Sequence, residues 1–302
     1  MGSEFVQLSL TPILIGTLAA ITCALPGNFL ILRRQALIGD AISHVVMPGI
    51  VAAFVLTGFV STWPMMLGAA AASLVAVIII ELIQRYGRVE PGAAMGVTFT
   101  AMFAAGVLLL EITDTSTVHL DVDHALYGNL ESLIWLGADG WGSLFDANAL
   151  SQLPPELSRM AIAACIVAAF TFLFWRPLVI STFDENFAAT CGVWTDALGI
   201  GLVMMAALAA VAAFDAVGSI IVIAMFICPP AAARLMTNSL SIQIVWSLLF
   251  ATISAVAGYV LAGYGPGWLG AEDAVSAAGM IATVSGVILG LACMFGPHRR
   301  RT

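Results

Sequence analysis

The feature that most constrains this chain is a series of apolar segments, each close to 20 residues long and nearly free of charge. A helix of about 20 apolar residues is what crosses the ~30 Å hydrocarbon layer of a bilayer. Apolar residues make up 61% of the 302 residues and charged residues only 9%, and the mean hydropathy is +1.04. Long segments of alternating polarity, typical of membrane β-barrels, do not occur. The sequence therefore predicts an all-α, polytopic membrane helical bundle.

We expect about eight to nine transmembrane helices within a single domain spanning residues 1–302. The connection 111–158 is long, and residues 126–136 within it are too short and too polar to span, so we expect a re-entrant or interfacial helix there. Residues 1–5 resemble a cloning scar. The predicted spans are 8–32, 37–57, 65–83, 93–110, 159–175, 197–213, 218–235, 242–262 and 274–294.

The arginines give the predicted orientation. Of the ten basic residues, all arginine, only Arg159 falls on the opposite side of the nine-helix arrangement from the rest. Because basic residues favour cytoplasmic loops, the N-terminus is expected outside and the C-terminus in the cytoplasm. The nine on the predicted cytoplasmic side are Arg33, Arg34, Arg85, Arg88, Arg176, Arg234, Arg299, Arg300 and Arg301.

Two function classes are disfavoured by composition. The phosphate-binding loop of ATP-driven proteins needs a Gly-Lys-Ser/Thr step, and this chain has no lysine. If ATP drives it, another polypeptide binds the nucleotide, so we expect no enzyme activity here. The net charge of −8 and the lack of a basic stripe argue against nucleic acid as a partner.

Asp40 and His44 are the most informative polar residues, because they lie inside an apolar segment. Their spacing of four places both on one face of a helix. Ionisable residues in a bilayer are costly and mark ion pathways. A carboxylate and an imidazole suit Mn²⁺, Zn²⁺ or Fe²⁺, although two ligands are fewer than a structural zinc site needs. The spacing leaves two readings open: a weak metal site on a pathway, or a buried pair that joins two helices.

A second set of metal-ligand types lies in the predicted outer connection. Alternation along the chain directs some of these side chains apart, so a solvated loop is an alternative to a metal site here. The four residues are His119, Asp121, Asp123 and His124.

The predicted cytoplasmic segment 181–193 indicates a short helix. Ser181 or Thr182 would begin it, Asp184 and Glu185 suit its first turn, and Gly192 would end it. Phe183 and Phe187 are four residues apart and share one face of that helix. This aromatic pair favours docking of a partner, and an interfacial helix packed on its own bundle is the alternative.

Four segments together resemble the metal-uptake ABC transporter permeases, the membrane subunits of bacterial zinc, manganese and iron importers. Residues 33–49 contain Gly39-Asp40-Ala41-Ile42-Ser43-His44 and Pro48-Gly49, which resemble the family's signature. The other three, in the expected order, are Asp121–Leu130, Asp184–Gly192, and the stretch from Val217-Gly218 to Pro229-Pro230-Ala231-Ala232-Ala233-Arg234-Leu235.

The resemblance implies a multi-pass permease, in a homo- or heterodimer, within the lipid of a bacterial inner membrane. Cytoplasmic ATP-binding subunits would drive it and an extracytoplasmic metal-binding protein would supply the ion. It implies metal in the pathway at Asp40 and His44, and a coupling helix over 183–193 that contacts the ATPase through Phe183, Asp184, Glu185, Phe187 and Gly192. The metal would be cargo, with no permanently bound cofactor.

Two further function classes stay open on the sequence. A proton- or ion-coupled secondary metal carrier would also place Asp and His at the midplane and would need no ATPase. An intramembrane enzyme ranks last, because no His-Glu-x-x-His motif is present. The metal is not readable from its ligands, and the stretch 123–129 favours manganese, then zinc or ferrous iron.

Overall fold

The computed structural model describes residues 2–36, 38–58, 62–112, 128–138, 140–268 and 275–298. Within these ranges the chain forms helices and no strand, as the composition predicts. The first helix continues without a break from a turn at Gly2–Phe5 and a π-helical turn at Val6–Leu10. The main helices are α1 (Thr11–Leu32), α2 (Ile38–Thr57), α3 (Thr62–Gly87), α4 (Pro91–Ile112), α5 (Pro155–Leu173), α6 (Trp175–Phe183), α7 (Glu185–Thr190), α8 (Thr195–Met236), α9 (Leu240–Trp268) and α10 (Ala277–Phe295).

Eight segments in the described part of the chain are long and apolar enough to cross a bilayer. They lie in α1, α3, α4, α5, the two halves of α8, α9 and α10. The 20-residue helix α2 adds a ninth candidate, which the sequence also predicts. The predicted polytopic helical bundle is therefore confirmed.

Helices α1 and α8 form the centre of the bundle. Their side chains supply most of the large buried cluster, including Ile15, Phe29, Leu202 and Phe226. Small residues are frequent along both helices, which lets neighbouring backbones approach closely inside a membrane. Together they are the scaffold against which α2 packs.

Helix α8 contains a break that the sequence predicts as a connection between two separate spans. Gly218 has φ 75° and ψ 171°, outside the helical region, and helical structure resumes directly after it. Gly128, also at positive φ, lies so close to Val217 and Gly218 that a side chain would overlap their backbone. The break is thus a site of close backbone contact, and no loop separates the two halves.

The predicted re-entrant helix is wrong over the residues that the structure describes. Residues 128–136 contain one 3₁₀ turn, Leu130–Ser132, followed by irregular chain. Tertiary contacts outweigh helix formation: the Trp135 side chain is buried, and its Nε1 donates to the carbonyl oxygen of Ala149 at 2.9 Å. The Trp135 backbone N–H also donates to the carbonyl of Gln7 at 2.9 Å, which ties this segment to the start of α1.

The first residues of the chain take part in the same packing. The ring of Phe5 stacks on that of Trp141, with centroids 6.3 Å apart. Val6, Trp135, Ala138 and Ala149 form a second, smaller buried cluster. The helical turn at Gly2–Phe5 is therefore joined to the cap formed by residues 128–138 and 140–153.

Candidate functional site

Helix α2 carries the predicted metal pair. Asp40 and His44 lie in continuous helical backbone, one turn apart, as their spacing predicts. The structure describes the side chain of His44, which is half-buried, whereas the side chain of Asp40 lies outside the described part. The predicted sharing of a helix face rests on this backbone.

The imidazole of His44 is held between two phenylalanines of α4. Its ring centroid lies 5.5 Å from that of Phe99 at an interplanar angle of 22°, and 5.5 Å from that of Phe103 at 76°. One contact is therefore stacked and the other is edge-to-face, two arrangements that aromatic rings favour. These contacts restrict the orientation of the imidazole ring and therefore the directions in which its two nitrogens point. Neither phenylalanine is recognisable from the sequence as part of this site.

Close backbone packing fixes the position of α2. A side chain on Gly68 of α3 would overlap the carbonyl of Gly49, and one on Gly106 of α4 would lie 2.7 Å from Cβ of Pro48. At the other end of α2, a side chain on Gly39 would lie 2.7 Å from the ring of Phe226 in α8. Helix α2 is thus enclosed by α3, α4 and α8, with contact distances that leave no room for larger residues.

A cavity of about 540 Å³ opens beside this helix. Ala41, Val45 and Phe99 line its α2–α4 side. Polar and charged side chains line the part toward the arginine-rich end of the bundle, and they include Arg33, Glu81, Gln84, Asp196 and Glu185. The cavity therefore reaches from the neighbourhood of His44 to the end of the bundle where the predicted coupling helix lies.

The predicted coupling helix exists as α7. Asp184 is its N-cap, and a side-chain oxygen of Asp184 accepts a hydrogen bond from the backbone N–H of Phe187 at 2.9 Å. The predicted start at Ser181 or Thr182 is wrong, because both residues belong to the last turn of α6, a helix that the sequence reading did not include. Asp184 takes the capping role because it alone has extended backbone between the two helices.

The C-terminus of α7 follows the prediction. Gly192 has φ 78°, a left-handed conformation that glycine adopts readily. The backbone N–H of Val193 donates to Ala188 and that of Gly192 donates to Ala189, the paired bonds of a Schellman motif. Phe183 and Phe187 are 58% and 55% exposed. The prediction that they share one face of a single helix is wrong, because Phe183 ends α6 and the extended backbone of Asp184 separates it from α7.

A buried cluster of polar side chains joins α1 to α9, and the sequence alone does not predict that these residues meet. Asn28 donates to Ser247 Oγ at 3.0 Å and to the carbonyl oxygen of Ala24 at 2.7 Å. Gln243 in turn donates through Nε2 to Asn28 Oδ1 at 3.1 Å. All three side chains are fully buried, so Asn28 serves helix packing at this place.

The predicted outer metal site lies outside the described residues, because it consists of His119, Asp121, Asp123 and His124. Within the described ranges, no three His, Cys, Asp or Glu side chains come together as a metal-binding group. The predicted pair on α2 offers two ligands, fewer than a tight structural site needs.

Comparison with known proteins identifies the family. The sequence profile of the ABC 3 transport family matches residues 6–134 and 144–296. The chain belongs to the ABC 3 transport family. Its resemblance to metal-uptake ABC permeases is therefore confirmed.

Two similar proteins are named for manganese and zinc transport. The manganese transport system membrane protein MntD of Bacillus subtilis is 36% identical over 284 residues, which cover 93% of this chain and 90% of that protein. The zinc transport system membrane protein TroD of Treponema pallidum is 36% identical over 287 residues, covering 94% of this chain and 73% of that protein. The similarity thus extends over nearly the whole of this family member.

A solved structure shares the fold. PsaBC from Streptococcus pneumoniae, determined in complex with a Fab, superposes with a TM-score of 0.74 at 26% identity. The match covers 96% of this chain and 92% of that one. The helical arrangement described above is therefore that of an ABC 3 family permease.

Proposed function

We propose that this chain is the membrane permease subunit of a bacterial ATP-driven importer of a divalent transition metal. Manganese is the favoured cargo, followed by zinc and ferrous iron. Relatives named for manganese and zinc transport support the metal class. The observation that carries the proposal is the placement of Asp40 and His44 on α2, beside a cavity that extends toward the arginine-rich end of the bundle.

The proposed path runs inward through the bundle. An extracytoplasmic metal-binding protein delivers the ion at the face opposite the arginines, where His119, Asp121, Asp123 and His124 form a candidate first contact. The ion then binds briefly between Asp40 and His44. Two ligands from one chain hold it weakly enough to leave, which a conduit requires. The carboxylates of Glu81 and Asp196 line the cavity beyond and provide negative charge along the exit.

The proposed assembly supplies what this chain lacks. A second permease chain completes the pathway, and cytoplasmic ATP-binding subunits contact Phe187 of α7 and Phe183 at the end of α6. The absence of lysine supports a separate ATPase, since this chain cannot build a phosphate-binding loop. The orientation that fits places the C-terminus and α7 in the cytoplasm, following the arginines. The chain acts as one permease domain over residues 1–302.

The test is metal uptake by the complete transporter in cells starved for manganese, zinc or iron. Asp40→Ala and His44→Ala should each abolish uptake while the complex still assembles and binds ATP. Asp146→Ala and His298→Ala are matched controls, because neither residue belongs to α2: Asp146 is exposed, and His298 is half-buried beside Asn238. Normal uptake by both site variants would reject the pathway. Uptake that persists without any ATPase subunit would favour a secondary carrier.

A further inference from the structure

Arg33 joins the end of α1 to the end of α6. Its Nη2 donates to Ser181 Oγ at 2.8 Å, and its Nε donates to Thr182 Oγ1 at 3.2 Å. Both hydroxyls lie in the last turn of α6, where the helix dipole favours a positive charge. The planar guanidinium can reach two adjacent acceptors at once, which a lysine ammonium cannot do in the same geometry.

The next helix adds an electrostatic contact to this junction. Partial burial lowers the pKa of the Arg33 guanidinium from its ordinary value, and the negative charge of Glu185 raises it. Glu185 is the first residue of α7, directly after the N-cap Asp184. An arginine stays protonated in proteins, so the attraction between Arg33 and Glu185 persists at physiological pH.

A second contact fixes α6 against α1 one helical turn earlier. The rings of Phe29 and Trp175 meet edge-to-face with centroids 6.1 Å apart. Phe29 is fully buried, and Trp175 is the first residue of α6. Helix α6 is therefore attached to α1 at both of its ends, by an aromatic contact at the start and by Arg33 at the finish.

Arg33 lies in the chain between α1 and α2, so its contacts with α6 also bear on how α2 begins. Arg33 is the C-cap of α1, and Arg34 follows it with φ 59°, so the chain turns sharply there before α2 begins at Ile38. Asp40 lies in the first turn of α2. One side chain thus links the segment that leads into α7 with the segment that leads into the metal pair.

We propose that Arg33 is the positioning residue that transmits movement of α7 to α2, so that ATP-driven displacement of α7 changes the metal site. This inference rests on the proposed function. Without Arg33, α6 and α7 keep their aromatic contact with α1 but lose the polar link at the turn that leads into α2. ATP hydrolysis then continues while metal transport per ATP falls.

The experiment compares metal transported per ATP hydrolysed in the complete, reconstituted transporter with Mn²⁺. Arg33→Gln should lower this ratio about tenfold, the scale expected for loss of charge-assisted hydrogen bonds. Arg33→Lys should give an intermediate ratio, because it keeps the charge and loses the fork. Arg176→Gln is the matched control, since it removes an exposed arginine from α6 itself.

A second variant approaches the same junction from the other side. Ser181→Ala combined with Thr182→Val removes both acceptors and leaves the arginine, and it should lower the ratio as Arg33→Gln does. A parent-like ratio in assembled Arg33→Gln complexes would overturn the proposal. So would uptake and ATP hydrolysis that fall in proportion. If no Arg33 variant assembles, a parent-like ratio in the acceptor variant overturns it.

A third measurement separates this inference from the proposed function. Hydrogen exchange of amides 33–45 in the full chain needs neither metal nor ATPase. Exchange should increase in Arg33→Gln and stay at the parent level in Arg176→Gln. If the parent transports no divalent metal, the proposed function fails while this result still supports the junction. Unchanged exchange in Arg33→Gln contradicts the junction alone.

Discussion

The imidazole of His44 lies nearly parallel to the ring of Phe99, with centroids 5.5 Å apart and an interplanar angle of 22°. The two residues come from different helices, α2 and α4, so this contact aligns the predicted metal ligand with the wall of the cavity. Phe99 also lines that cavity. The orientation of the imidazole therefore depends in part on a residue that also shapes the cavity, and Phe103 provides its second aromatic contact.

Phe99→Ala should weaken transport without preventing assembly. An aromatic pair contributes roughly 0.5–1.5 kcal/mol beyond its buried area, so the metal concentration for half-maximal uptake should rise about three- to tenfold. Phe172→Ala is the control, because Phe172 is a phenylalanine of α5 that is 76% exposed. Equal uptake curves for the parent and Phe99→Ala would show that His44 does not need this contact.

Gly68→Ala should destabilise the bundle. The added methyl group would overlap the carbonyl of Gly49 and approach Cβ of Ala53, and overpacking of this kind costs typically 1–3 kcal/mol. The measurement is the melting temperature of the purified chain in detergent. Gly96→Ala in α4 should leave it unchanged or raise it, because nothing lies within 4 Å of the added methyl group. Similar melting temperatures for the two variants would contradict the close packing.

Asp184→Ala should weaken retention of the ATP-binding subunit by destabilising α7. Loss of an N-cap costs about 1 kcal/mol, which a short helix cannot offset by propensity. Asp184→Asn should restore most of the binding, because an asparagine oxygen also accepts the Phe187 N–H. Co-purification measures the effect. If Asp184→Asn does not restore binding of the ATP-binding subunit, the negative charge of Asp184 contributes to that contact directly and its capping of α7 is secondary.

Phe187→Ala should reduce the same co-purification more strongly than Asp184→Ala. A buried aromatic anchor at an interface can cost 2 kcal/mol or more when truncated, about thirtyfold in affinity. Trp194→Ala is a stringent control, because Trp194 is 81% exposed and lies just after α7. Loss of binding in Trp194→Ala but not in Phe187→Ala would move the contact away from α7.

Asn28→Leu should lower the melting temperature because it leaves Ser247 and Gln243 without their buried partner. Polar contacts between membrane helices average about 0.6 kcal/mol and reach about 1.7, and the shape change adds to this. Asn186→Leu, the same substitution at an exposed position of α7, should have no comparable effect. A melting temperature equal to that of the parent would mean that Ser247 and Gln243 find other hydrogen-bond partners in the variant.

Local patterns gave a sound account of some parts of the site and a poor one of others. The helix over 185–190 and its end at Gly192 were predictable, because capping and left-handed glycine act within a few residues. The N-cap was wrongly assigned to Ser181 or Thr182 because α6 was not foreseen. Over 128–136, the described part of the helix expected at 126–136, the chain forms a single 3₁₀ turn, since the burial of Trp135 against the start of α1 depends on residues distant in the chain.

The sequence by itself determined the number and approximate limits of the spans and the spacing of Asp40 and His44. It could do so because the hydrocarbon layer requires a continuous helix, which satisfies its own backbone hydrogen bonds, and about 20 apolar side chains. Both requirements act within one segment and can be recognised in the sequence. Only the tertiary structure decided that Phe99 stacks on His44, that Arg33 reaches Ser181 and Thr182, and that α8 breaks at Gly218. Those features depend on which helices pack against each other. That packing involves residues far apart in the chain, so local sequence patterns do not determine it.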